Sequence, residues 1–214
     1  AQLSRGLGDV YKRQIHRGVH ALAQEATEAY EAARETVRAH LNAASTKEVL
    51  FVAGTTDGIN LVAQTWGRAN LTQGDCIVLT RMEHHSNIVP WQMLAQERGL
   101  EVLVVELNED GTLDGDMFEA HLAREPKLVA FTHVSNALGT VNDVKTWTQW
   151  AHDVGATVLV DGAQAVPHLA VDVRDLDVDF YTFSGHKTYG PTGIGILYGN
   201  CLLYTSPSPR DSCA

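Results

Sequence analysis

The chain has 214 residues, 44% of them hydrophobic and 20% charged, the balance of an ordinary globular protein with enough apolar material for one full core. Its formal net charge of −10 argues against wrapping nucleic acid or resting on an anionic membrane, since both need a basic surface. No run approaches the roughly 18 consecutive apolar residues of a membrane span, no secretory-type leader is visible, and Cys76, Cys201 and Cys213 are too few and scattered for a disulfide framework or zinc knuckle, which fits a reducing cytoplasm.

Residues 1–14, AQLSRGLGDVYKRQ, carry neither helical nor strand periodicity, and residues 201–214, CLLYTSPSPRDSCA, turn abruptly Ser/Pro-rich. Both segments resemble translated adapter read-through and are set aside from the fold as a cloning scar would be. That leaves residues 15–200 as the expected domain.

Helical spacing of Leu22, Ala26, Ala29, Ala33 and Val37 predicts a helix over 19–43. After it, short apolar runs alternate with helix-length segments. Strands are expected at 48–54, 76–80, 101–107, 127–134, 157–163, 179–185 and 193–199, with helices near 56–66, 89–98, 115–124 and 143–154. Strands rich in Val, Leu and Ile with helices between them predict an α/β fold on a largely parallel sheet. In such sheets ligands bind beyond the carboxyl ends of the strands. Five of these strands end in polar residues: Gly54-Thr55-Thr56, Glu83-His84-His85, His133 through Asn136, Asp161 through Gln164, and Ser184 through Lys187.

Each group suggests a chemistry and has a plainer alternative. Gly54-Thr55-Thr56 opens a helix, where free amides and hydroxyls suit a phosphate or the threonines simply cap; no GxxxxGK[ST] is present. His84 and His85 have neither an HExxH frame nor a second ligand pair, so no metal is expected, and one imidazole is read as stacking on a planar cofactor while the other is structural. His20, His40, His121 and His152 lie in helical segments and are read as structural. Asp161 ends a buried Thr-Val-Leu-Val run, where a carboxylate is costly unless a cation such as a protonated pyridine nitrogen meets it, or it caps the next turn. Lys187, in Ser-Gly-His-Lys among closely spaced glycines, is a candidate nucleophilic amine rather than a solvated surface lysine. Cys76 lies inside a strand and is read as a buried apolar filler.

The runs IHRGVHALAQEATEAYEAAR, GTTDGINLVAQTWG, MEHHSNIVPWQML, THVSNALGTVN, VLVDGAQAVPH and FYTFSGHKTYGPTGIGILYG closely resemble the SUF-type (group II) cysteine desulfurases and related selenocysteine lyases. These belong to the class V aminotransferase superfamily of fold-type I enzymes using pyridoxal 5'-phosphate (PLP). The resemblance covers about Ile15 to Asn200.

It implies that the segment is the PLP-binding large domain, with a seven-stranded sheet between helices and the C-terminal small domain missing. Lys187 would form the internal aldimine, Asp161 pair with the pyridine nitrogen, and Gln164 bond the ring's phenolic oxygen. His84 would stack on the ring and assist proton transfer, while Thr55, Thr56, Ser184 and His186 hold the phosphate. Asn136, and Arg17 near the mouth of the site, would contact the substrate. The implied reaction takes L-cysteine or L-selenocysteine to L-alanine, leaving an enzyme persulfide for a SUF-type acceptor protein and iron–sulfur assembly, in a homodimer. The family's nucleophilic cysteine and its carboxylate-gripping arginine lie in the missing region, so the chain alone is expected to be inactive. Asp57-Gly58 departs from the family's more usual Glu-Ala and is read as tolerated variation. Runner-up readings are a selenocysteine lyase or kynureninase-like relative, and a non-catalytic scaffold that Lys187 and Asp161 argue against.

Overall fold

The computed structural model describes residues 21–200. Arg17, His20 and the two terminal segments lie outside the described residues. Seven strands form one sheet: β1 (Val49–Val52), β2 (Cys76–Thr80), β3 (Glu101–Val105), β4 (Leu128–Thr132), β5 (Thr157–Asp161), β6 (Phe180–Ser184) and β7 (Gly195–Gly199). Their spatial order is β1-β7-β6-β5-β4-β2-β3. From β6 across to β3 every neighbouring pair is parallel, while β7 runs antiparallel to both β6 and β1. The largely parallel α/β sheet expected from the apolar runs is the sheet that forms.

Strand residues alternate between two cores. Val78, Val129, Phe131, Val158, Val160, Tyr181 and Phe183 join one cluster, and Ile77, Leu79, Leu128, Ala130, Leu159 and Phe180 join the other. Burial on both faces is why these strands read as unbroken apolar runs. Helices α2 (Thr55–Val62) and α3 (Val89–Arg98) cover the second cluster with Ile59, Val62, Trp91 and Leu94. Helices α4 (Gly115–Leu122) and α5 (Val144–Asp153) cover the first, where Phe118 stacks on Trp147 with ring centroids 4.1 Å apart. Beyond Val62, the helix continues through a π turn (Ala63–Gly67) and a last α turn (Arg68–Asn70).

Among the described residues the first helix, α1, spans Ala21–His40, inside the expected 19–43, and much of its apolar stripe faces outward. Leu22, Ala29 and Ala33 are exposed. The face laid on the sheet carries Tyr30 and Arg34 instead: Tyr30 meets Phe51 edge-on at 4.9 Å, and Arg34 donates to the Val49 carbonyl at 3.2 Å. Alanine favours helix wherever it sits, so its spacing reports propensity rather than burial. Gly58 is also more than tolerated. It is buried on α2, and a Cβ there would run into Thr182 Oγ1, which is held by donating to the Ile196 carbonyl at 2.9 Å.

Two features of the sheet position the site. All strands except β7 point their carboxyl ends at one edge. Along that edge β4 and β5 stay paired as far as Thr132 and Asp161, whereas β2 and β4 pair only at Ile77–Leu128 and Val78–Val129 and then part. The parting lies where the chain order reverses, β3 lying on one side of β2 and β4 on the other, the place where open α/β sheets bind ligands.

Candidate active site

A cavity of about 210 Å³ opens at this edge. Thr55 and Thr56 reach it from the start of α2, His84 from the turn after β2, and Asn136 from the loop after β4. Asp161 and Gln164 come from the end of β5 and the turn beyond it, and Ser184, His186 and Lys187 from the end of β6 and the 3-10 turn Gly185–Thr188. Every site residue named from the sequence is therefore on one wall or another, except Arg17, which lies outside the described residues. Ser86, Thr132, Val134 and Ala163 also line it.

Helix α2 begins at Gly54, which has no side chain to cap the first-turn amides. Thr55 donates its N–H to Ser184 Oγ at 2.9 Å, and the two hydroxyl oxygens lie 2.8 Å apart. This joins β1's end to β6's end across β7. The helix start and its hydroxyls make a cradle for an anion. A second opening, lined by Gly54, Asp57, Asn60 and Gly193, meets the cradle from the other side at Thr55, Thr56, Ser184 and His186.

Asp161 is 4% exposed, and its Oδ1 accepts the Ala163 N–H at 2.9 Å. Burial holds its carboxyl above the ordinary range, opposed by that amide and by the charges of Lys187 and His84. A cationic ligand atom facing it would relieve the desolvation cost. Lys187 is half-buried and is the one primary amine on the cavity wall. The imidazole of His84 accepts the Ser86 N–H at Nδ1, 3.1 Å away, which assigns its proton to Nε2.

His133, grouped by sequence with the polar strand ends, does not join the cavity. It is 8% exposed, its Nδ1 lies 2.9 Å from the Tyr181 hydroxyl, and burial pushes its imidazole down to about 4. The alternation of β4 and its exit sends Thr132 and Val134 into the cavity and His133 away from it. Cys76 is buried, burial raises its thiol, and Sγ contacts the Arg124 carbonyl at 3.5 Å. His121 and His152 bond to Val104 O and to Asp179 respectively, as structural histidines do.

Sequence reasoning missed Glu83. The residue is 8% exposed, and its carboxyl is pushed up to about 8 by burial, against hydrogen bonds from Thr80, Asn87 and Thr132. Thr80 Oγ1 lies 2.5 Å from Oε1 and donates when the acid is ionised; when it is neutral, the same contact carries the acid's proton to the hydroxyl. A signal was present: Glu83, Asn87 and Trp91 recur every four residues, the spacing of neighbours on one helical face.

The folded state binds the Glu83 proton more tightly than the unfolded chain. Its contribution to stability is complete below about pH 4.5 and is lost as pH rises through about 8. Glu83→Gln, which cannot ionise, gains on the parent across that window, at a limiting slope of about 1.4 kcal/mol per pH unit. Urea titrations of both proteins at pH 5, 7 and 9 test this; a constant difference between them rules it out.

Among the described residues no group of three or more His, Cys, Asp or Glu side chains could hold a metal ion, and no helix is long and apolar enough to cross a membrane. The chain is 57% identical over 195 residues to a cysteine desulfurase of Serratia proteamaculans, an alignment covering 91% of this chain and 48% of that protein. The crystal structure of the Escherichia coli cysteine desulfurase CsdA in its S-sulfonic acid form superposes with a TM-score of 0.82 at 42% identity, covering 94% of this chain and 51% of that one. A structure of SspA in complex with cysteine superposes with a TM-score of 0.78 at 28% identity, covering 85% and 52%. The chain thus spans about half the length of each of these three proteins. The family model for class-V aminotransferases matches residues 8–209, nearly the whole sequence, so the chain belongs to the aminotransferase class-V family.

Proposed function

We propose that this chain is the cofactor-binding part of a PLP-dependent cysteine desulfurase of the SUF type, converting L-cysteine to L-alanine and passing the sulfur to an enzyme thiolate. The observation that carries the reading is one cavity with a buried acid, a single primary amine and a hydroxyl-lined helix start on its walls. The cysteine desulfurase names of relatives such as the Serratia protein support the reaction, and the cysteine bound by SspA supports the substrate.

The residues present fit PLP. When bound, the cofactor supplies an electron sink that delocalises the electron pair left at a substrate's α-carbon. Asp161 would hold a proton at the ring nitrogen, and its desolvated carboxyl has reason to take such a partner. Thr55, Thr56, Ser184 and His186 would hold the phosphate at the start of α2. Gln164 would bond the phenolic oxygen, and His84 would stack on the ring and assist proton transfer. The Lys187 amine would hold the cofactor covalently and, as a free amine, would carry the substrate's α-proton. Asn136 would take the substrate carboxylate. The nucleophilic thiolate lies elsewhere: Cys76 is the only cysteine among the described residues, and it is buried in β2. A SUF-type sulfur acceptor, a homodimeric assembly and a cytoplasmic location go with this reading.

Two measurements test it. The 214-residue chain titrated with PLP is expected to gain a saturable visible-range band, and Asp161→Asn to weaken binding at least tenfold. The same chain supplied with L-cysteine is expected to release no alanine. Absence of PLP binding sinks the cofactor assignment, while alanine release sinks the requirement for a thiolate outside residues 21–200.

A further inference from the structure

Where β2 and β4 part, their backbone ladder ends at Val78–Val129, so the groups beyond need other partners. One of them, the Thr132 N–H, finds its partner in a side chain. Glu83 Oε1 accepts the Thr132 N–H at 2.9 Å and meets the Thr80 hydroxyl at 2.5 Å, while Oε2 accepts from Asn87 Nδ2 at 2.6 Å. Asn87 has no freedom to turn its amide over, because its Oδ1 accepts the Trp91 indole N–H at 2.9 Å, from α3. Thr132 in turn donates its hydroxyl to the Val134 carbonyl at 3.0 Å and reaches the Asp161 carbonyl at 3.3 Å. Between Glu83 and Asn87 runs the turn that carries His84, closed by Asn87 N–H to His84 O at 2.8 Å and by Ser86 N–H to the His84 ring.

From this geometry we infer that Glu83 is a positioning residue: its carboxyl, holding the Thr132 N–H beyond the end of the β2–β4 ladder, fixes the His84 imidazole against the strand end that carries Asp161. The residue does not itself line the cavity. It acts by setting where His84 stands relative to Asp161. Its two oxygens face two donors whose directions are fixed independently, the Thr132 amide by β4 and the Asn87 amide by Trp91. A carboxyl group satisfies both; a primary amide presents one oxygen and one N–H₂, so one of the two donors always loses its acceptor. The consequence for cofactor affinity rests on the PLP reading, but the positioning itself does not.

The experiment uses the 214-residue chain, first without PLP and then with it. In the apo chain the His84 side chain is followed by ¹H–¹⁵N correlation of the imidazoles, with the Nε2–H tautomer giving one sharp set of signals in the parent. Glu83→Gln is expected to broaden or double that set while leaving exposed His85 close to its parent positions, and to raise the PLP dissociation constant about tenfold, the equivalent of one lost buried hydrogen bond. Unchanged His84 signals together with unchanged PLP affinity overturn the proposal, even if the melting temperature falls, because a merely structural role moves only the latter. Should Glu83→Gln fail to fold, Thr80→Val removes one donor and no charge. It is expected to give the same His84 changes in smaller measure, and none at all overturns the proposal. If the parent itself binds no PLP, the cofactor reading fails while the apo His84 signals still decide the role of Glu83.

Discussion

Lys187→Ala is expected to abolish the visible-range absorbance that the chain acquires with PLP, and to leave the fold intact. No other primary amine lines the cavity, so no neighbour stands ready to take over the covalent link. The turn that carries Lys187 does not depend on its side chain. It is closed by the Gly190 N–H and the Thr188 hydroxyl, both donating to the Gly185 carbonyl at 2.9 Å. The residue is half-buried in a 3-10 turn rather than in either core, so the melting temperature should move by only a degree or two, as for substitutions outside packed interiors. Lys187 also lowers the proton affinity of buried Asp161. Its loss leaves that carboxyl further above the ordinary range, which weakens any noncovalent hold on a cationic ring. A parent-like spectrum in the variant removes Lys187 from its role.

Gly195→Ala is expected to cost several kcal/mol of stability at the edge of the site. A Cβ at this position would stand 2.5 Å from the Gly54 Cα and 2.7 Å from the Phe183 carbonyl oxygen. Both are backbone atoms on flanking strands or their immediate extensions, so neither can swing aside as a side-chain tip could. Overpacking of this kind costs about 3 kcal/mol or more, which for a domain of this size lowers the melting temperature by roughly 6–12 °C. Because Gly54 opens the anion cradle, binding should suffer along with stability. A thermal melt and a PLP titration of the same variant check both. A melting temperature equal to the parent's means the two strands are free to separate there, contrary to the pairing of β1 and β6 with β7.

The strands were legible in the sequence because burial on both faces leaves no polar alternation to confuse them; CIVLT is β2 residue for residue. Their direction was less so. An apolar run carries no sign, and nothing in GIGILYG marks β7 as the strand that runs against the others. The cavity-lining residues named from sequence were those with distinctive chemistry at strand ends, such as Asp161 and Lys187. Glu83 escaped because a carboxylate next to two histidines reads as loop polarity, and only the splay of β2 from β4 shows that it is enclosed. His133 misled for the opposite reason: it sits among polar neighbours, yet β-alternation turns its ring to Tyr181. The spacing in α1 gave the helix but not its contacts, because Tyr30 and Arg34, rather than the alanines, meet β1.

In the sheet β1 is bonded to β7 alone, and Thr55 beside it is bonded to Ser184. During synthesis the ribosome delivers β1 long before β7, the one neighbour in the sheet that can seat it. Until residues 195–199 have emerged, a nascent chain can assemble β2 through β6 but must leave β6 with a bare edge and the Gly54-Thr55-Thr56 turn without its anchor. Ligand-holding ability should therefore arrive abruptly, with β7, rather than growing as the polypeptide lengthens.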